Sequence, residues 1–175
     1  MCIRDRPPQK LPPSPATRII DRMKPTLQGR CVAILVDEGS SARHVAAFHK
    51  ALVAQKASVK IIAPKIGGAT LDDGSHLPAD GQLAGSPSAQ FDAVVSIITL
   101  ERGQALAREA AAQDWFRDAF GHLKAIAACK ATQHIMKTAG ITPDEGVFPI
   151  DKPEPFIEGA KKRFWAREAK LRTLA

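Results

Sequence analysis

The six residues from Cys31 to Val36 form a nearly continuous apolar run that is rich in β-branched side chains. Such a run is typical of a strand covered on both faces, and a strand of that kind belongs to a parallel sheet flanked by helices. A turn and helix N-cap follow at Asp37 to Ser41, and apolar residues then recur at helical spacing as far as Gln55. With a second strand at Ser58 to Ala63, the segment predicts a right-handed β-α-β unit.

The same alternation resumes after a loop-rich stretch in which Asp72 to Ser75 indicates a hairpin. The later predicted elements are a strand at Phe91 to Ile98, a helical region in two pieces at Gln104 to His122, a strand at Lys124 to Ala128, a helix at Thr132 to Ala139 closed by Gly140, an edge strand at Val147 and Phe148, and a final helix at Pro155 to Arg167. This order predicts an α/β, flavodoxin-like, doubly wound and mostly parallel sheet with helices on both faces.

The proline content divides the chain into two parts. Six of the 13 prolines lie within the first 30 residues, where each removes a backbone donor and restricts its predecessor. We therefore expect residues 1–28 to form a basic, largely extended linker and residues 29–175 to form one domain.

The net charge of +7 is concentrated at the ends of the chain. The first 30 residues and the last 17 each carry +5, whereas the middle carries −3. Charge confined to terminal arms, without interleaved aromatic residues, is typical of solvated or docking segments, so we expect no nucleic-acid partner. The apolar runs are too short to span a bilayer and no secretory signal is evident, which favours a cytoplasmic protein without a membrane partner.

The cysteines and histidines predict neither a disulfide framework nor a metal site. Cys2, Cys31 and Cys129 are scattered without C-x-x-C spacing, and the five histidines lack an H-x-x-x-H pattern. An odd number of scattered cysteines fits a reducing compartment.

Cys129 is the candidate catalytic residue because it lies between a predicted strand and a predicted helix. Three turns are expected at the carboxyl edge of the sheet, at Asp37 to Ser41, Ile98 to Gly103 and Cys129 to Thr132, and ligands of doubly wound folds bind at this edge. A helix N-terminus favours a thiolate, which would suit a nucleophile. The alternative is a small, inert residue at a tight turn.

A nucleophile also needs a base, and the sequence offers no convincing one. His134 lies five residues on, where it is expected to project away from the turn, and Lys130 only adds positive charge. Asp37 and Glu38 could approach from the first turn, but Arg43 lies there as well.

The first turn is also a weak candidate for anion binding, because Gly39, Ser40 and Ser41 precede a helix. The sequence there lacks the G-x-G-x-x-G and G-x-x-x-x-G-K-[ST] patterns, so we expect no bound nucleotide, flavin or other cofactor.

The run Ala-Ile-Ala-Ala-Cys129-Lys-Ala resembles the nucleophile elbow of the class I glutamine amidotransferase-like superfamily, in particular its PfpI-type protease and deglycase branch. That branch has His and Gly where this chain has Lys130 and Ala131. Arg43 stands about where the branch has an acidic residue, and Ile98 to Leu100 where it has a Gly-Gly oxyanion turn. The resemblance implies the fold and argues against the chemistry.

Several separated motifs between residues 11 and 175 resemble the C-terminal domain of large-subunit haem catalases. They are Leu11-Pro-Pro-Ser-Pro-Ala16, Gly29-Arg-Cys-Val-Ala-Ile-Leu35, Gly68-Ala-Thr-Leu-Asp-Asp-Gly74, Leu83-Ala-Gly-Ser-Pro-Ser88, Phe91-Asp-Ala-Val94, His122-Leu-Lys-Ala-Ile126 and Trp165-Ala-Arg-Glu168.

In that family the haem and the disproportionation of hydrogen peroxide belong to an upstream β-barrel domain of a homotetramer. The resemblance implies a non-catalytic accessory domain whose partners are that barrel and the other subunits. The composition agrees, because catalase haem is held by a proximal tyrosine and the chain has none. The alternative is a PfpI-type cysteine-dependent hydrolase or deglycase, or a chaperone-like protein, that uses Cys129.

Overall fold

The computed structural model describes residues 12, 14–18 and 20–171, so Cys2 and the first eleven residues of the predicted linker lie outside the described part. A 3-10 turn at Ile20–Arg22 precedes the sheet. The strands are β1 (Cys31–Val36), β2 (Ser58–Ala63), β3 (Ala69–Thr70), β4 (His76–Leu77), β5 (Gly81–Gln82), β6 (Ala93–Ile97), β7 (Ile126–Ala128) and β8 (Val147–Phe148). The helices are α1 (Ala42–Ala54), α2 (Leu100–Leu106), α3 (Ala110–Gly121), α4 (Thr132–Thr138), α5 (Pro153–Ala160) and α6 (Glu168–Leu171).

Six strands form one parallel sheet in the order β5-β2-β1-β6-β7-β8. Apart from the short β5, this is the flavodoxin-like order, in which the connections change direction between β1 and β6. The pair β3 and β4 forms the separate antiparallel hairpin that the sequence predicts. The structure therefore confirms the flavodoxin-like doubly wound fold.

A hydrophobic core lies on each face of the sheet. On one face Phe48 of α1 packs with Phe156 of α5, with ring centroids 5.8 Å apart. On the other, Trp115 and Phe116 of α3 pack beside α4. Leu27 is fully buried in the first of these cores, although it precedes β1 and the predicted domain boundary. Burial of both sheet faces explains the continuous apolar strands.

The predicted final helix over Pro155 to Arg167 is wrong, because α5 ends at Ala160 and a 3-10 turn at Trp165–Arg167 follows it. The backbone N–H of Phe164 donates to the Leu123 carbonyl at 2.9 Å, which takes the chain off the helical path. A tertiary hydrogen bond of this kind does not change the spacing of apolar residues, so the sequence pattern could not predict it.

Further differences from the prediction include an earlier helix start and an additional strand. The first helical piece begins at Leu100 instead of Gln104, because the Thr99 side chain caps it by accepting from the Arg102 N–H. Strand β5 was not predicted, since two residues are too short to show a pattern.

The segments before β1 and after α5 meet at the amino edge of the sheet. The Arg30 guanidinium donates to the Ala160 carbonyl at 2.8 Å and to the Lys24 carbonyl at 3.1 Å. Nearby, Arg163 donates to the Asp92 carbonyl at 2.9 Å, and Asp92 in turn accepts from the Cys31 N–H at 3.0 Å. These bonds connect the entering segment, β1 and the segment after α5.

Candidate functional site

Cys129 lies in the turn between β7 and α4, at the carboxyl edge of the sheet. Its thiol is 3.4 Å from the Ile98 carbonyl oxygen and 3.2 Å from Thr132 Oγ1. Thr132 Oγ1 is 2.9 Å from Ser96 Oγ of β6. The structure therefore brings together the turns after β6 and β7, as their positions in the sequence predict.

The contact with Ile98 identifies what the Cys129 thiol bonds to. A carbonyl oxygen only accepts hydrogen bonds, so the thiol is the donor in this contact. A carbonyl oxygen is not a general base, and a cysteine nucleophile needs one beside its sulfur.

The two candidate carboxylates are engaged elsewhere. Asp37 is buried and accepts from Arg102 Nε at 2.7 Å, and this bond is the main cause of a raised pKa of Arg102. Glu38 accepts from the Thr70 N–H at 3.0 Å, which lowers the pKa of the Glu38 carboxyl. Among the described residues, neither carboxylate forms a hydrogen bond with Cys129. Neither of these two carboxylates is therefore placed as a catalytic partner of Cys129.

The donors of the first turn are also in use within the fold. The Gly39 N–H donates to the Thr70 carbonyl at 2.8 Å, and the Ser40 N–H donates to the Asp37 carbonyl at 3.0 Å. The Ser40 hydroxyl is fully buried and lies 2.6 Å from the Ile97 carbonyl oxygen. An anion at this turn would have to displace these bonds.

The remaining predicted residues occupy separate surfaces. Arg43 is exposed and lines a groove between α1 and the β3–β4 hairpin. His134 is exposed on α4 and faces a groove shared with Gln104 and Arg108. Lys130 alone of these residues lines the same cavity as Cys129.

That cavity has a volume of about 540 Å³ and is also lined by His44, a residue that the sequence did not single out. His44 lies in the first turn of α1, and its Nδ1 atom is buried without a hydrogen-bond partner in the described part of the chain. The sequence feature that could have indicated His44 is its position just after the first turn, next to Arg43. Because 85 residues separate it from Cys129, spacing alone could not pair the two.

Gly103 of α2 sets how closely that helix approaches the turn at Cys129. A Cβ atom at Gly103 would lie 2.5 Å from the Ala131 carbonyl oxygen, so α2 would have to move. We expect Gly103→Ala to lower the free energy of unfolding by about 1–2 kcal/mol, as overpacking outweighs the gain in helix propensity. Urea denaturation measures the change.

Gly121→Ala at the end of α3 is the matched control, because a Cβ there meets nothing within 4 Å. It should be neutral or stabilising by up to about 1 kcal/mol. Equal effects of the two substitutions would contradict the close approach of α2 to Ala131.

Neither a metal cluster nor a membrane span is found in the described residues. No group of three or more His, Cys, Asp or Glu side chains there is arranged to hold a metal ion. No helix among them is both long and apolar enough to cross a membrane.

Comparison with solved structures supports the fold. A ThiJ/PfpI domain protein from Brachyspira murdochii superposes with a TM-score of 0.60 at 12% identity, covering 85% of this chain and 98% of that one. At this identity the likeness shows the architecture alone.

Comparison with known sequences identifies the family. Catalase C of Rhizobium meliloti (strain 1021) is 35% identical over 170 residues, which cover 94% of this chain and 24% of that protein. Catalase HPII of Pseudomonas aeruginosa is 27% identical over 167 residues, covering 93% of this chain and 24% of its own length. The chain thus spans about a quarter of these relatives. The model of the C-terminal domain found in long catalases matches residues 28–169, and the chain belongs to that family.

Proposed function

We propose that this chain is a non-catalytic accessory C-terminal domain of a large-subunit haem catalase. The parent enzyme would be a cytoplasmic homotetramer that disproportionates hydrogen peroxide in an upstream barrel domain. The domain would pack on that barrel and stabilise the oligomer, without contacting nucleic acid or membrane. Residues 1–28 would serve as the linker and residues 29–175 as the folded unit.

The observation that carries the proposal is the bonding of Cys129. Its thiol donates to the Ile98 carbonyl, while Asp37 and Glu38 are held by Arg102 and by the Thr70 N–H. A cysteine nucleophile needs a nearby base and an orienting group, and these carboxylates supply neither.

The chain's own residues do not suit haem. A catalase holds its haem iron through a proximal tyrosine, and the sequence has no tyrosine. Peroxide turnover by this chain alone is therefore not expected, and a Soret band together with oxygen evolution from the purified chain would contradict the proposal.

The reactivity of Cys129 provides the sharper test. We expect iodoacetamide to alkylate Cys129 more slowly in the folded chain than in the urea-unfolded chain, because the folded thiol is partly buried and donates to the Ile98 carbonyl. Peptide-resolved mass spectrometry measures the two rates at neutral pH, with Cys31 as an internal reference.

Faster alkylation of Cys129 in the folded chain would favour the second candidate function, a PfpI-type hydrolase or deglycase or a chaperone-like protein. The cavity that Cys129 shares with His44 is the observation that favours this second function. Loss of amide hydrolysis, deglycation or aggregation suppression in Cys129→Ala would then establish that function.

A further inference from the structure

The cavity beside Cys129 is lined by polar side chains that the fold does not use. They come from four separate parts of the chain: His44 from α1, Lys130 from the turn, Gln133 from α4 and Asp151 from the segment after β8. None of these side chains has a hydrogen bond or ion pair with another described residue. Lys130, Gln133 and Asp151 are exposed, so a ligand could reach them. The buried charged side chains Asp37 and Arg167 are instead bonded within the fold, to Arg102 and Asp144.

The rest of the cavity wall is apolar. Its members are Ala128, Met136, Pro143, Val147, Phe148, Pro149 and Ile150. The volume of about 540 Å³ falls within the range of ~300–1,000 Å³ that is common for small-molecule sites, and such sites combine an apolar wall with a few convergent polar groups.

The two charges in the lining narrow the class of ligand. Lys130 is cationic and Asp151 is anionic, yet they form no ion pair with each other. A purely anionic ligand would be repelled by Asp151, and a purely cationic one by Lys130. A ligand that carries both charges would complement both side chains and leave neither unpaired.

We propose that this cavity reversibly binds a small zwitterion with an apolar side chain, such as an apolar α-amino acid. Its carboxylate pairs with Lys130, its ammonium pairs with Asp151, and its side chain packs against Met136 and Phe148. His44 and Gln133 provide further hydrogen-bonding groups, and the Cys129 thiol takes no part in a reaction. The domain is then a binding module, which goes beyond the accessory role proposed above.

Isothermal titration of the chain with L-leucine tests the proposal, with N-acetyl-L-leucine and L-leucinamide as analogues that each lack one charge. We expect saturable one-to-one binding of leucine and affinities lower by about tenfold for both analogues, since each loses one charge-assisted contact. Glycine, which has no side chain for the apolar wall, should also bind more weakly.

Two variants test which side chain pairs with each charged group of leucine. Lys130→Gln should weaken the binding of leucine about tenfold and leave that of leucinamide unchanged or tighter. Asp151→Asn should also weaken the binding of leucine about tenfold, but leave that of N-acetyl-leucine unchanged or tighter. Lys137→Gln, at an exposed position on α4 outside this cavity, is the control and should not alter leucine binding.

The chemical shifts of Gln133, Met136 and Phe148 in NMR spectra report where leucine binds. Three results would each overturn the proposal: no saturable binding of leucine up to its solubility, equal affinity for leucine and N-acetyl-leucine, or shifts confined to another surface. None of them bears on the alkylation test of Cys129, so the two proposals fail independently.

Discussion

Replacing Arg167 with alanine should lower the free energy of unfolding by about 3–5 kcal/mol, because the change deletes a buried guanidinium together with the charge-assisted hydrogen bonds that it donates. Arg167 is only 1% exposed. Its Nε and Nη2 atoms each donate to Asp144 at 2.7 Å, and Nη1 donates to the Lys124 carbonyl at 2.7 Å. The guanidinium also lies 4.1 Å from the ring centroid of Phe120. Few side chains in the domain make so many contacts at once.

Arg167→Lys separates the charge from the geometry. Lysine keeps the positive charge but cannot present the planar fork that binds both oxygens of Asp144, so we expect it to recover only part of the lost stability. Arg108→Ala is the control, since it deletes an exposed arginine and should change stability by no more than about 0.5 kcal/mol. Urea unfolding followed by circular dichroism compares the three variants. An Arg167→Ala effect as small as that of Arg108→Ala would contradict the role of this ion pair.

The second large effect concerns the pH dependence of stability and depends on Lys124. This side chain is 4% exposed, and its ammonium donates to the carbonyls of Ser88 and Ala89 at 2.8 and 3.1 Å. Burial, with a smaller contribution from the nearby Arg163 guanidinium, lowers the pKa of Lys124 from 10.5 to about 8.

The direction of the effect follows from which state binds the proton. Below pH 8 Lys124 is charged in both states, and the folded state bears the full cost of the buried charge. Between the folded pKa of about 8 and the unfolded value of 10.5, the unfolded chain binds more protons, so stability rises with pH. A shift of this size corresponds to a gain of about 3 kcal/mol across that window.

Lys124→Met isolates this contribution, because methionine fills a similar volume without a charge. The difference in unfolding free energy between wild type and Lys124→Met should change by about 3 kcal/mol between pH 8 and 10.5. Lys50→Met, at an exposed site on α1, changes the net charge by the same amount and should leave the wild-type pH profile intact. A pH-independent difference for Lys124→Met would refute the assignment.

Strands β1 and β2 could be predicted to the residue because their signal is local. Both faces of β1 are covered, so every residue from Val32 to Val36 is buried and the apolar run has no gaps. The end of α5 could not be predicted, since it depends on a bond from Phe164 to Leu123, which lies far away in the sequence. Similarly, the start of α2 depends on a cap, and its first residue, Leu100, is 58% exposed and adds nothing to a helical apolar pattern.

The position of Cys129 in the fold could be predicted from the sequence, but its bonds could not. The sequence placed Cys129 in a turn between strand and helix, which the structure reproduces. It could not show that the thiol bonds to Ile98 or that His44 shares its cavity, because both relations join elements distant in sequence. Arg167 lies in a motif that resembles the family, yet its ion pair with Asp144 became visible only in three dimensions.

The Arg30 contacts at the amino edge determine where the entering segment lies relative to the cavity beside Cys129. They connect the entering segment at Lys24 to the end of α5 at Ala160, so both segments lie at the amino edge of the sheet. The six residues of β1, at about 3.3 Å each, put roughly 20 Å between these contacts and the carboxyl edge of the sheet. The cavity beside Cys129 therefore lies at the opposite edge of the sheet from the Arg30 contacts.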